Sequence, residues 1–261
     1  MQDRESADRL LDLGADAARV QVTGNLKFDS LQAAGQLDER GVHRVLRYFR
    51  VPEDRPVIVA GSTMKGEEPM VLEAFERLRT PERRPLLVIA ARHPGRFDEV
   101  ERLAREEGLT VARRTQLDID SSPAADVVVL DTIGELAHLY RVATAVFVGG
   151  SLVPTGGHNI LEPAVYGKPI LFGPHMHNFR EIADSFLAAG AAIQVKDGGE
   201  LAAALEDLLA DEERRSRLGA AALGIIEANR GARERTLAAI AAVLPPGTGA
   251  RVRLFPAGRR P

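Results

Sequence analysis

The sequence has no cysteine in its 261 residues, which excludes a disulfide framework, a thiolate metal site and a cysteine nucleophile. A basic surplus is also missing. Lysine and arginine number 34 against 37 aspartates and glutamates, a formal net charge of −3, so polyanion binding is not the default and no nucleic-acid partner is expected. No run approaches the roughly 18 apolar residues that would span a bilayer, and the charged opening MQDRESADRL is unlike a signal peptide. Taken alone, the chain reads as soluble and cytoplasmic. His175 and His177 alternate on one segment and His158 lies one helical turn before Glu162, but no third ligand stands at a zinc-like spacing, so no metal is expected.

What is present is a set of short apolar runs alternating with amphipathic segments. Residues 57–60, 86–90, 127–130, 145–148, 170–172 and 192–195 are continuous apolar or nearly apolar stretches, and residues 109–113 read as a further, edge strand. Runs of this length separated by helices predict a doubly wound parallel α/β sheet, Rossmann-like and covered on both faces. Ligands of such sheets bind beyond the carboxyl ends of the strands. Ahead of the sheet, residues 1–14 predict a polar amphipathic helix, residues 18–22 a short strand, and residues 30–50 a helix ended by Pro52. Residues 198–245 predict helices with breaks near Asp211 and Gly231, and 246–261 a disordered tail.

The chain is organised around GGSLVPTGGHNILEP, residues 149–163. Gly149, Gly150, Gly156 and Gly157 follow a buried strand and free the backbone for positive φ and close approach to a ligand, so exposed N–H groups are expected to face a bound anion. Pro163 is tolerated only in the first turn of a helix, which places Asn159 and Glu162 at its positive end. A phosphate would be stabilised there, with the Glu162 carboxylate accepting from ribose hydroxyls.

Other strand ends add to this. GSTMKGEE, residues 61–68, has the glycine spacing of a phosphate loop, but Glu67 and Glu68 stand where that motif needs lysine and a hydroxyl. ARHPGRF, residues 91–97, gathers Arg92, His93 and Arg96 where a phosphate or carboxylate would sit. Thr132 and Glu135 have capping-box spacing, and Gly134, placed in the first turn, suits a ligand lying against the backbone. Asn178 and Glu181 suggest a second capping box. Lys27, in GNLKFD (residues 24–29), could reach an anionic group in a neighbouring cleft.

Together these motifs, with DTIGELAHLY (residues 131–140) and the run from Gly149 to Phe179, resemble the carboxyl-terminal half of the 3-deoxy-D-manno-octulosonic acid (Kdo) transferases of lipopolysaccharide synthesis. The match extends to about Pro246. The resemblance implies a GT-B glycosyltransferase and inverting transfer of Kdo from CMP-Kdo to a lipid A precursor, without metal or cofactor. It places CMP against Ala91 and Arg92, against Ile133, Gly134 and Glu135, and against Asn159, Ile160, Leu161 and Glu162. His93, Arg96, Gly157 and His158 are secondary candidates. Lys27 matches a lysine assigned to stabilising the transition state. Ala91, where proline is common, and Met64, where histidine or an aromatic residue is common, depart from the pattern.

In the family the acceptor-binding domain, the glutamate general base and the membrane anchor precede the matched region, at the cytoplasmic face of the inner membrane. The expected organisation is therefore residues 1–29 as hinge and remnant of a preceding domain, 30–245 as the donor-nucleotide domain, and 246–261 as tail. Such a chain is expected to bind CMP or CMP-Kdo weakly and to show no transfer by itself. The rival readings are a non-catalytic nucleotide-binding remnant and another sugar-nucleotide enzyme, such as a UDP-sugar transferase or epimerase.

Overall fold

The structure, a computed structural model, describes residues 1–29 and 39–244. The first nine residues of the expected 30–50 helix and the expected tail lie outside the described residues. The chain divides into two compact units: Met1–Asp29 with the residues from Asn229 onward, and Ser30–Ala228.

The larger unit is built on seven parallel strands: β1 (Val57–Thr63), β2 (Leu86–Ala91), β3 (Val111–Arg113), β4 (Val127–Val129), β5 (Ala145–Val148), β6 (Ile170–Phe172) and β7 (Ile193–Gln194). Their order across the sheet is β3-β4-β2-β1-β5-β6-β7, with every pair parallel. The doubly wound expectation holds, and the run at 109–113 supplies the edge strand. The central strands are buried on both faces, which is why they read as unbroken apolar runs instead of alternating ones.

Helices α3 (Glu68–Leu78), α4 (Phe97–Glu106) and α8 (Gly198–Ala210) contribute to one core with Ile58, Ala60, Leu87, Ile89, Val127, Val129 and Phe147. Each fully buried valine, leucine, isoleucine or phenylalanine among them contributes about 1.5–3 kcal/mol. Helix α2 (Glu39–Leu46), the short α5 (Leu136–Leu139) and α6 (Leu161–Ala164), α7 (Arg180–Ala188) and α9 (Glu212–Ala228) complete this unit. The order in which strands are added reverses between β1 and β5, and because all strands are parallel the loops after β1, β2, β4 and β5 leave from one edge of the sheet, where ligands of such sheets bind.

In the smaller unit, α1 (Arg4–Asp12) is capped by Asp3, whose side chain accepts from the Ser6 N–H at 2.6 Å. The expected strand at 18–22 is absent. A 3-10 turn covers Ala17–Arg19, and among the described residues no strand pairs with Val22, which is 44% exposed; without a partner strand a five-residue alternation does not hold as a strand. The buried Asp29 accepts from the N–H groups of Gly231 and Arg233, at 2.9 and 2.5 Å, and so caps α10 (Ala232–Val243). The GNLKFD motif thus ends in a structural carboxylate.

Candidate active site

The glycine loop after β5 is tied down from inside. Glu67, fully buried, accepts from the N–H groups of Met64 (2.8 Å), Gly150 (2.6 Å), Ser151 (2.9 Å) and Leu152 (2.8 Å). Gly149 donates to the Gly61 carbonyl at 2.8 Å and Gly157 to the Gly150 carbonyl at 2.7 Å. The expectation that the glycine amides face a ligand is corrected for this part of the loop: the anion in the nest is the protein's own carboxylate. The glycines serve close packing. A Cβ on Gly149 would lie 2.6 Å from the Thr63 Cα, and one on Gly157 2.2 Å from the Met176 Sδ.

Two secondary candidates take part in this tethering. Gly157 has spent its N–H, and the His158 ring is held by its Nδ1 against the Gly149 carbonyl at 2.8 Å. Both latch the loop.

Past this latch the backbone hydrogen bonding thins. Among the described residues nothing accepts from the N–H groups of Asn159 or Ile160, while the Leu161 N–H donates to the Asn159 side chain at 3.2 Å. Ile160 and Leu161 are wholly buried, backbone included, so the half-buried Asn159 and Glu162 are the residues of this segment that reach the surface. Glu162 is largely buried, and burial raises its carboxyl above the ordinary range; the Asn159 amide, 3.3 Å away, and the charge of Arg92 oppose that rise.

The two arginines after β2 divide in the same way. Arg96 pairs with the buried Glu68, through one contact at 3.1 Å and a second shorter one, and with Glu99 at 3.0 Å. Its reading as a free phosphate ligand is corrected: two carboxylates already neutralise it. Arg92 is exposed and has no ion pair among the described residues. His93, also exposed, precedes a 3-10 turn over Pro94–Arg96.

Arg92 lines a cleft of about 200 Å3 with Ser62, Ala91, Phe97, Thr132, Ile133 and Gly134. The loop after β4 forms one wall, but not as a helix cap. Helix α5 begins only at Leu136, and Gly134 stands before it at φ +86° with open space beside it. Instead of a capping box, the Thr132 hydroxyl donates to the Glu135 carboxylate at 2.7 Å. Glu135 also pairs at 2.8 Å with the buried Arg114, whose guanidinium stacks 3.3 Å above the Tyr48 ring. Glu135 therefore offers a ligand its backbone, not its charge. Helix α7 likewise starts at Arg180 with Phe179 as its N-cap, one residue past the expected Asn178.

Residues 52–223 match the family of group 1 glycosyl transferases. The chain belongs to that family. It is 38% identical over 236 residues to the 3-deoxy-D-manno-octulosonic acid transferase of Bordetella pertussis, covering 88% of this chain and 53% of the relative. The corresponding transferase of Haemophilus influenzae is 34% identical over 232 residues, with the same coverage. Among solved structures, the C-terminal CMP-Kdo binding domain of WaaA from Acinetobacter baumannii is 31% identical, with a TM-score of 0.60 over 78% of this chain and 100% of that domain. The chain spans about half the length of the two full transferases. The expected GT-B class and the likeness to Kdo transferases are therefore both established.

For this glycosyl transferase chain, the structure brings Ala91, Arg92, Ile133 and Gly134 to one cleft and sets Arg92 and Glu162 within electrostatic reach. Lys27 belongs to the smaller unit, where it is exposed and its N–H donates to the Asn25 side chain at 3.0 Å. Sequence reasoning passed over Ser62, which takes φ +56° at the end of β1 and lines the cleft. A non-glycine residue in the left-handed region is costly and concentrates at functional sites, but no residue type announces it. Glu67 was noticed only as the wrong residue for a phosphate loop. Its acidic type beside a glycine-rich loop was the available signal. Among the described residues, no helix is long and apolar enough to cross a membrane, and no cluster of three or more His, Asp or Glu is placed to hold a metal ion.

Proposed function

We propose that this chain binds CMP-Kdo and is the donor-binding part of an inverting Kdo transferase acting on a lipid A precursor. One observation carries the reading: an arginine with no ion pair among the described residues and an open glycine backbone line one cleft of about 200 Å3 at the carboxyl ends of parallel strands, with the half-buried Glu162 within electrostatic reach of that arginine. Arg92 is the cation for the CMP phosphate. The backbone at Ile133–Glu135 and at Asn159 supplies N–H groups, and Glu162 accepts from the ribose hydroxyls.

In the reaction an acceptor hydroxyl oxygen attacks the anomeric carbon of Kdo as the bond to the cytidylate oxygen breaks. CMP leaves with the electron pair, and the hydroxyl proton passes to a general base, a glutamate supplied from the acceptor-binding part of the family. Lys27 stabilises the negative charge that develops on the leaving phosphate and the Kdo carboxylate. Contact with the lipid acceptor and the membrane surface belongs to that same acceptor-binding part.

Calorimetric titration of the chain with CMP and with UMP tests the donor assignment. Saturable CMP binding, weakened at least tenfold for UMP and for the Arg92→Ala variant, is expected. Equal affinity for UMP would transfer the reading to a UDP-sugar enzyme of the same family, and no binding of either nucleotide would overturn it.

A further inference from the structure

A second cleft, of about 390 Å3, opens where β5 and β6 begin. Thr144 and Pro169, the residues before these strands, line it with Lys168, Glu212, Arg215 and Ser216. In a parallel sheet all strands start at one edge and end at the other, so the sheet separates this cleft from the one at Arg92.

Two glycines set its shape. Gly219 of α9 lies so close to the turn before β6 that a Cβ there would come 2.0 Å from the Gly167 carbonyl oxygen. Gly167 itself is at φ +61° against Leu223. Arg215 and Ser216 precede Gly219 by about one helical turn and share its face. The glycine contact therefore brings them beside Lys168, the residue after Gly167.

The charges gathered there are poorly compensated. Lys168 is partly buried, and among the described residues neither its ammonium nor the Arg141 guanidinium forms a hydrogen bond or ion pair. Burial and the nearby Arg141 charge both hold Lys168 below the ordinary ammonium value. Arg215 gives one nitrogen to the Leu208 and Leu209 carbonyls. Glu212 is the one carboxylate in the lining, and it is not paired with Lys168 among the described residues. Like charges drawn together and partly desolvated are costly unless an anion joins them. Donors are at hand as well: the Thr144 Oγ1 accepts from the Val57 N–H at 3.0 Å, leaving its own hydrogen to donate, and Ser216 adds a second hydroxyl.

We propose that this cleft is a phosphate-binding site, separate from the donor cleft, in which Lys168 and Arg215, with the Thr144 and Ser216 hydroxyls, hold the phosphate of a small phosphomonoester or of an anionic lipid headgroup. The chain has only four lysines, Lys27, Lys65, Lys168 and Lys196. Reductive 13C-dimethylation therefore yields a spectrum simple enough to follow Lys168 directly, with the Lys168→Arg variant assigning its signal. Titration with inorganic phosphate at constant ionic strength is expected to move the Lys168 signal along a saturating curve with a dissociation constant of about 1 mM, leaving Lys65 and Lys196 in place. Arg215→Gln weakens that response at least fivefold, and Arg92→Ala leaves it intact. A second arm uses vesicles of phosphatidylglycerol against phosphatidylcholine; a response to the anionic vesicles alone assigns the headgroup as the source of the phosphate. A Lys168 signal that stays fixed under both probes overturns the proposal. So does a response abolished by Arg92→Ala and unaffected by Arg215→Gln.

Discussion

The two ends of one glycine-rich loop have opposite jobs. At Gly150–Leu152 three consecutive amides are saturated by the Glu67 carboxylate; at Asn159–Ile160 the amides have no acceptor among the described residues and lie beside Glu162, whose carboxyl is held above its ordinary range by burial. One carboxylate is an internal ligand that fixes the loop; on the proposed reading the other is left for an external one. The same division separates Arg96, locked between Glu68 and Glu99, from the unpaired Arg92. On that reading a rigid half made of satisfied buried charge positions a half whose polar groups are left for a ligand.

The sharpest way to break this division is at its rigid end. Glu67→Gln removes the charge and turns an NH2 group toward amide donors, with an expected loss of about 3 kcal/mol of stability, read from urea unfolding. Gly149→Ala forces a Cβ against the Thr63 Cα and the Ser62 carbonyl oxygen, at 2.6 and 2.7 Å. The expected cost is about 2 kcal/mol, measured in the same way.

Substitutions at the open end are expected to spare the fold and cost binding. Arg92→Ala should change stability by less than about 0.5 kcal/mol while weakening CMP roughly tenfold to a hundredfold, the worth of one charged hydrogen bond. Glu162→Gln gives the smallest stability effect, and its sign is informative. Because the folded-state pKa of Glu162 is raised, the fold binds the proton more tightly than the unfolded chain does. Its stabilising contribution is full below the ordinary carboxyl value and is lost as pH rises through the raised one. At neutral pH the glutamine variant should therefore unfold at slightly higher urea than the parent yet bind CMP less well, and this stability gap should close as the pH falls below the ordinary carboxyl value. A variant less stable than the parent at neutral pH would assign Glu162 to the rigid half.

The sheet was legible in the sequence because strands buried on both faces write their own signature: runs such as VIVA, LLVIA and AVFV cannot face water on either side. The loops at the strand ends were legible as a neighbourhood, since parallel strands force their ends together. The pairing of charges within that neighbourhood was not. Arg92 and Arg96 are indistinguishable as letters, and Glu68, which engages Arg96, stands 28 positions earlier on a different helix. Nor could glycine content tell an amide aimed at a ligand from one aimed at Glu67. The stretch at 18–22 misled for the converse reason: alternation describes a strand only where a sheet exists to receive it.

The most direct test of the divided loop is to follow its backbone amides by heteronuclear NMR as CMP is added. The account predicts that the signals of Gly134, Asn159 and Ile160 shift with CMP occupancy while those of Gly150, Ser151 and Leu152 stay in place. Shifts concentrated at Gly150–Leu152, with Asn159 and Ile160 unmoved, would contradict it.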